Sequence, residues 1–258
     1  MMSLLNKAMA SVGFGSAKVD IQLDNQKLCE GEQVNGFVSI LGGKTEQKAS
    51  KVSLILISYM KFNEENYENR KSIEISSFDI AQDVKIKPNE EIKIPFSFVL
   101  PNDTPISFNK DVVWIETSLD IKMAFDPSDK IYIHVMPHPF IQSVLNVLQK
   151  DLKFIMTKYE NVYVPNNGNH LPIVQVFEFN PTLHLIGNLN EMRMMFFVDD
   201  LRGLEIVLEL SRKALGSKDH TNSINDSKTR IFISKEEFKN DNSYLSDLVL
   251  QRIQSLLV

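Results

Sequence analysis

Between Val112 and Pro139 the chain reads VVWIETSLDIKMAFDPSDKIYIHVMPHP, and this stretch constrains the fold more than any other. Val113, Ile115, Leu119, Ile121, Met123 and Phe125 put apolar side chains at alternate positions, with Thr117 the one break. Glu116, Ser118, Asp120 and Lys122 fill the positions between. A period of two held over about fourteen residues describes a half-buried antiparallel strand. Asp126-Pro127-Ser128-Asp129 then supplies Asp and Pro at the first two positions of a type I turn. Ile131, Ile133 and Val135 alternate on the return strand, and Pro137 and Pro139 stop it. Nothing in the hairpin is chemically reactive, so it is framework for a β domain.

The same alternation marks strands on either side. Lys18–Leu23, Gln33–Leu41, Lys51–Phe62, Ser72–Ile80, Gln82–Ile86 and Glu91–Leu100 are separated by turn signals at Glu30-Gly31-Glu32, Gly42-Gly43-Lys44, Lys87-Pro88-Asn89 and Pro101–Pro105. With the hairpin they make eight strands, the number and spacing of a β-sandwich. Lys51–Phe62 is apolar on both faces and is expected to be internal to a sheet. Pro95 has no N–H to donate, which assigns its strand to an edge or a bulge.

Pro137-His138-Pro139 closes this sandwich. Phe140, Ile141, Val144, Leu145 and Leu148 follow on one face of a helix, with Pro139 suited to its first turn. The reading is therefore two domains, 1–137 and 138–258, with Pro137, His138 and Pro139 as the candidate interdomain hinge. In the second, strands are expected at Leu152–Lys158, Ile173–Phe179, Leu183–Ile186, Glu191–Val198, Leu204–Leu210 and Arg230–Ser234. The polar loop Ser211–Thr229 separates the last two, and Ser243 is expected to cap a final helix. A short N-terminal helix is expected over residues 3–12, with Ser3 as cap. Its apolar face is expected to pack on the body or a second subunit; a membrane-surface contact has only Lys7 to support it.

The net charge of −5 and pI near 5.6 give no support to nucleic-acid binding. One cysteine, Cys29, excludes an intramolecular disulfide and a multi-cysteine metal site, and fits a reducing cytoplasm. The first residues lack the charged-then-apolar order of a signal peptide, and no window carries eighteen consecutive apolar residues. The expected location is the cytoplasm.

The search for chemistry returns framework. Gly13-Phe14-Gly15 lacks the preceding strand and third glycine of a dinucleotide loop. His134, His138, His170, His184 and His220 include no pair at the i, i+4 spacing of a zinc-protease helix. His138 is instead placed to cap the helix that follows it. Asp126 and Asp129 lack the acidic run of a calcium loop, and Asp199-Asp200 before Gly203 fits a hairpin turn. Cys29 has no identifiable base beside it. Lys44, Lys48 and Lys51 read as a solvated hairpin. No catalytic residue, cofactor or metal is assigned. Trp114, the only tryptophan, falls on the polar register of its strand. It either packs under another segment or stands exposed as an anchor for a partner, and it is the candidate interaction surface.

Several words in the chain carry a resemblance. Ala10-Ser11-Val12-Gly13-Phe14-Gly15-Ser16-Ala17-Lys18-Val19-Asp20, Ile94-Pro95-Phe96-Ser97-Phe98, Leu119-Asp120-Ile121-Lys122-Met123-Ala124 and Pro137-His138-Pro139 are similar to the bacterial sporulation-control protein family, of the stage 0 control protein M type. Gln175-Val176-Phe177-Glu178-Phe179-Asn180-Pro181 resembles it more loosely. The resemblance implies an all-β chain of two tandem arrestin-like β-sandwich domains with short flanking helices. It also implies a non-enzymatic regulatory or scaffolding role, acting through protein partners. The alternatives are a small-molecule-binding or hydrolytic β protein, and a structural protein that self-associates as a homo-oligomer.

Overall fold

The computed structural model describes residues 16–61, 70–108, 112–121, 127–165, 168, 170–181, 189–212 and 227–256. The chain divides into two compact units. Met1–Tyr59 and Lys71–Met136 form the first; Met60–Arg70 and Pro137–Val258 form the second.

Except for Met60, Lys61 and Arg70 at strand ends, the first unit contains β1 (Lys18–Leu23), β2 (Lys27–Cys29), β3 (Gln33–Leu41), β4 (Gln47–Lys61), β5 (Arg70–Ile86), β6 (Glu91–Val99), β7 (Val113–Ile121) and β8 (Lys130–Met136). They make two sheets, β1-β3-β6 and β2-β8-β7-β4-β5. Alternation sorts the side chains. Val34, Val38, Ile40, Ile94, Phe96 and Phe98 are buried on the smaller sheet. Val52, Leu54, Leu56, Val113, Ile115, Leu119, Ile133 and Val135 are buried on the larger. Phe78 of β5 stacks on Phe98 of β6 at 4.0 Å, tying the two sheets together. Gly36 is required by close approach: a Cβ there would stand 2.1 Å from the Gln22 carbonyl oxygen on β1.

Two expectations about order hold. Pro95 lies on β6, an edge of its sheet, opposite Phe37. β4 is internal, between β7 and β5. Two others change. The strands expected at Ser72–Ile80 and Gln82–Ile86 are one strand, β5. Its covered register passes from Ile73 and Ile75 to Phe78 and Ile80, and Asp83 takes a positive φ of 53°; both features break the period of two. β2 was not foreseen, because three residues carry no periodicity. It is defined by non-local parallel pairing, Lys27 opposite His134 and Cys29 opposite Met136.

In the second unit α1 (Pro139–Asn146) continues into a π-helical turn, Val147–Asp151. Then come β9 (Ile155–Tyr163), β10 (Ile173–Asn180), β11 (Leu189–Asp199), β12 (Gly203–Arg212), β13 (Ser227–Ser234) and α2 (Asn242–Ser255). The strands form one antiparallel sheet, β13-β12-β11-β10-β9. One face is apolar, with Phe177, Phe179, Met192, Met194, Ile206 and Ile233 buried. α1 packs against β11 and β12 and buries Ile141, Val144 and Leu145.

At Asp199-Asp200 the hairpin turn stands: Asp199 Oδ1 accepts from the N–H groups of Leu201 and Arg202, and Gly203 takes φ 143°. The cap of α2 is corrected from Ser243 to Asp241, whose Oδ1 accepts from Tyr244 N at 2.8 Å. The expected helix over 3–12, Gly13-Phe14-Gly15, the strand Leu183–Ile186, His184, His220, Asp126 and most of the Ser211–Thr229 loop lie outside the described residues.

Candidate functional site

The outer face of the larger sheet of the first unit carries an aromatic cluster. Cross-strand register places Ile57 and Tyr132 on either side of Trp114. Tyr59 and Tyr132 close over the indole at ring separations of 4.7 and 5.7 Å, both tilted near 45°. Tilted aromatic pairs of this kind each add about 0.5–1.5 kcal/mol beyond area burial. The indole Nε1 donates to Glu116 Oε2 at 3.3 Å, and Lys130 Nζ lies 5.9 Å from the ring centroid.

Trp114 is therefore not an exposed anchor. It lies on the polar register, as the alternation requires, yet only 5% of it is accessible. The physical reason is its two tyrosine neighbours, whose hydroxyls come within 3.5 Å of each other above it. The accessible part of the patch is Tyr132, 36% exposed, and Met136 on the same strand face, 42% exposed. Sequence reasoning missed both tyrosines. Tyr132 sits between Ile131 and Ile133 on the outward register, which was the available signal, but which strand faces it could not be read.

His138 is fixed by three contacts. Its Nδ1 accepts from Phe140 N at 3.2 Å, capping α1 as its position suggested, with Pro139 beginning the helix. With Nδ1 accepting, the neutral ring carries its proton on Nε2, which faces Asp200 Oδ1 at 3.3 Å. The ring meets Phe140 edge-on at 4.7 Å, and Phe140 stacks on Phe238 at 4.3 Å. Burial pushes the His138 pKa below its ordinary value, against the pull of Asp200, and the Lys235 charge adds to the lowering. All these partners belong to the second unit, so His138 and Pro139 are built into it.

The second unit also carries a charged face that the sequence did not reveal. On the side of its sheet away from the apolar face, Arg193 lies 3.4–3.6 Å from carboxylates of Glu160, Glu178 and Glu209. Lys158 bridges Glu160 and Glu178 at 3.1 and 3.3 Å, and Lys228 pairs with Glu209 at 3.0 Å. Nε of Arg193 makes no aligned hydrogen bond, so its tie to Glu178 is electrostatic. Burial opposes the charged Lys158 amine, but the hydrogen bonds and charges of Glu160 and Glu178 outweigh it and raise the pKa. Beside the charges, Val174, Val176, Met195 and Val207 form a small apolar cluster on the same face.

Cys29, Lys48 and Lys51 are each shaped by their neighbours. Burial, then the charges of Glu32 and Glu30, raises the Cys29 pKa and keeps the thiol protonated. Lys48 and Lys51 pair with Asp83 and Asp79 at 2.5 and 2.7 Å, which neutralises the basic strip. Among the described residues no three His, Cys, Asp or Glu side chains are arranged to hold a metal ion. No described helix is long and apolar enough to cross a membrane.

Comparison with known proteins agrees with this architecture. The family model for the SpoOM protein, Spo0M, matches residues 5–214. The sporulation-control protein Spo0M of Bacillus subtilis (strain 168) is 38% identical over 216 residues, covering 83% of each chain. The crystal structure of Spo0M from Bacillus subtilis superposes with a TM-score of 0.79 at 32% identity, over 93% of this chain and 99% of that one. The fold is thus an all-β, arrestin-like β-sandwich fold with few helices, resembling that of a sporulation regulator. By matched length, identity and fold, this chain belongs to the Spo0M family of sporulation-control proteins.

Proposed function

We propose that this chain is a non-enzymatic regulator in sporulation control, a cytoplasmic scaffold that works by binding other proteins. One observation carries the reading: Tyr132 stands exposed against the buried Trp114, which also packs on Tyr59, and Met136 is exposed further along the same face of β8. Aromatic residues and methionine are the types enriched at protein interfaces, and a fixed floor lowers the entropy lost on binding. Trp114 thus acts as support for the contact surface, and Tyr132 and Met136 touch the partner. The hinge we assign is the junction at which the chain passes from Met136 of the first unit to Pro137 of the second.

The test is crosslinking and affinity capture from sporulating cells of the source organism, comparing the wild-type chain with Tyr132→Ala/Met136→Ala. The double variant is expected to fold normally and to lose the captured proteins. Unchanged capture would remove this face from the mechanism. Reproducible turnover of an ester, phosphate or glycoside substrate, abolished by one His or Asp substitution, would overturn the non-enzymatic reading.

A further inference from the structure

One row of side chains crosses the whole sheet of the second unit. Register aligns Lys158 of β9 with Glu178 of β10, Glu178 with Arg193 of β11, Arg193 with Glu209 of β12, and Glu209 with Lys228 of β13. The charge changes sign at every step, and each neighbouring pair is an ion pair at 3.0–3.5 Å. Nearer the Asp199–Gly203 turn, Glu205 of β12 holds Arg230 of β13 at 2.7 Å. Opposite charges facing one another across strands are favourable. The alternation ends on a column of cations because the sheet ends at β13.

The backbone of β13 is suited to continue that row. Its pairing with β12 is regular from Ser227 opposite Leu210 to Ser234 opposite Gly203. Just beyond, Lys235 N donates to Arg202 O at 2.7 Å. Odd-numbered residues therefore turn their N–H and C=O toward β12, and Lys228, Arg230, Phe232 and Ser234 turn theirs outward. Ser234 agrees with this sense: its N–H donates to Glu237 Oε2 at 2.7 Å, which closes that end of the edge. The outward backbone groups of Lys228, Arg230 and Phe232 have no hydrogen-bond partner among the described residues. The side chains of these three share the charged face. Lys228 and Arg230 are 62% and 72% exposed, and Phe232 is 42% exposed. Cations on an edge strand discourage pairing with strands of like charge. A second copy of β13 would crowd two more cations onto this face, whereas an acidic strand extends the alternation.

We propose that β13 takes an extended acidic segment of a protein partner as one further, antiparallel strand of its sheet. From its N-terminus the segment reads apolar-x-acid-x-acid. The apolar side chain covers Phe232, and the two carboxylates face Arg230 and Lys228. Main-chain bonds to Lys228, Arg230 and Phe232 hold the segment, and the alternate side chains select it. The charges also give specificity: a basic strand meets Lys228 and Arg230 head-on and is rejected. Tyr132 and Met136 belong to the first unit, so this surface is a second one. It shares with the proposed function only the premise that the chain binds proteins.

The experiment uses the full chain and a fluorescein-labelled peptide, Thr-Leu-Thr-Glu-Val-Glu-Thr, followed by fluorescence anisotropy. The peptide is expected to bind saturably and to slow amide exchange at Arg230 and Phe232. N-methylating its two glutamates removes donors to the Arg230 and Lys228 carbonyls and should abolish binding, although the charge is unchanged. Lys228→Glu/Arg230→Glu should weaken binding by about tenfold or more. The same variant should instead take the peptide with both glutamates replaced by lysine, which wild type refuses. Recovery with the swapped peptide cannot come from a misfolded chain, and circular dichroism checks that the variant is native. Tyr132→Ala/Met136→Ala should bind the peptide as wild type does, which separates this surface from the one on β8. No binding by wild type, equal binding of the N-methylated peptide, or a native charge-reversed variant that ignores the swapped peptide would each overturn the proposal.

Discussion

Truncating Trp114 to alanine separates the supporting role of this side chain from that of an exposed anchor. A tryptophan side chain buries about 150–250 Å², which at about 25 cal/mol per Å² corresponds to roughly 4–6 kcal/mol. A compact denatured state reduces that by roughly 10–40%, while the cavity left between Tyr59 and Tyr132 adds a penalty. The expected loss is about 3–5 kcal/mol. With a urea slope of about 2 kcal/mol per M, the midpoint falls by roughly 2 M. Far-UV circular dichroism is the proper probe, because the variant has no tryptophan left. In the wild-type protein, acrylamide should quench the single tryptophan weakly, since only 5% of it is accessible. Trp114→Phe keeps a ring in the cluster but loses the N–H to Glu116, and should cost clearly less. A Trp114→Ala stability within about half a kcal/mol of wild type, the range of surface substitutions, would refute the reasoning, as would quenching like that of a free indole.

Three further outcomes follow from the same geometry. His138 has a pKa lowered in the folded state, so its contribution is complete above the unfolded value near about 6.5 and is lost as pH falls through the lower, folded pKa; thermal melts in this range should show His138→Asn, which keeps a cap acceptor but cannot titrate, losing less stability on acidification. Gly36→Ala should destabilise by about 1–3 kcal/mol, because its Cβ meets the Gln22 carbonyl oxygen at 2.1 Å, measured by urea midpoint. Arg193→Ala leaves three carboxylates facing one another and should cost about 1–3 kcal/mol, below the figure for a fully buried pair because Arg193 is one-third exposed; the loss should shrink when the denaturation is repeated in about 1 M salt.

Much of the first unit was readable because its strands alternate cleanly. β1 and β3 have the boundaries expected from sequence. β7 and β8 pair antiparallel as expected, but Glu116, not Phe125, lies opposite Lys130, so the tight turn read directly between the two strands is corrected to a longer connection. Pro95 announced an edge through its missing donor. Legibility failed where the structure depends on distant partners. β2 exists only because β8 lies beside it, over a hundred residues later. Trp114 was placed on the correct face, but its burial depends on Tyr59 and Tyr132, brought together by a register no single strand encodes. The charged face of the second unit failed for the same reason: Glu160, Glu178, Arg193 and Glu209 come from four different strands. The caps were the mixed case. His138 read correctly from its place before Pro139, while Ser243 lost to Asp241, two residues earlier and equally suited by side chain.

The bond from Ile21 to Asp129 and the parallel pairing of β2 with β8 have a consequence for synthesis. Both join segments more than a hundred residues apart, and loops of that length must close before either contact repays its entropy. While the ribosome is still making β7, the β1-β3-β6 sheet has all its strands, but β2 has no β8 to pair with and the Ile21 N–H has no Asp129 to meet. The opening segment is pinned only after Met136 has left the exit tunnel. Until then its apolar strands are exposed to chaperones and to neighbouring chains, so an arrest of translation before β8 should yield a product that aggregates, and one just after it a product that does not.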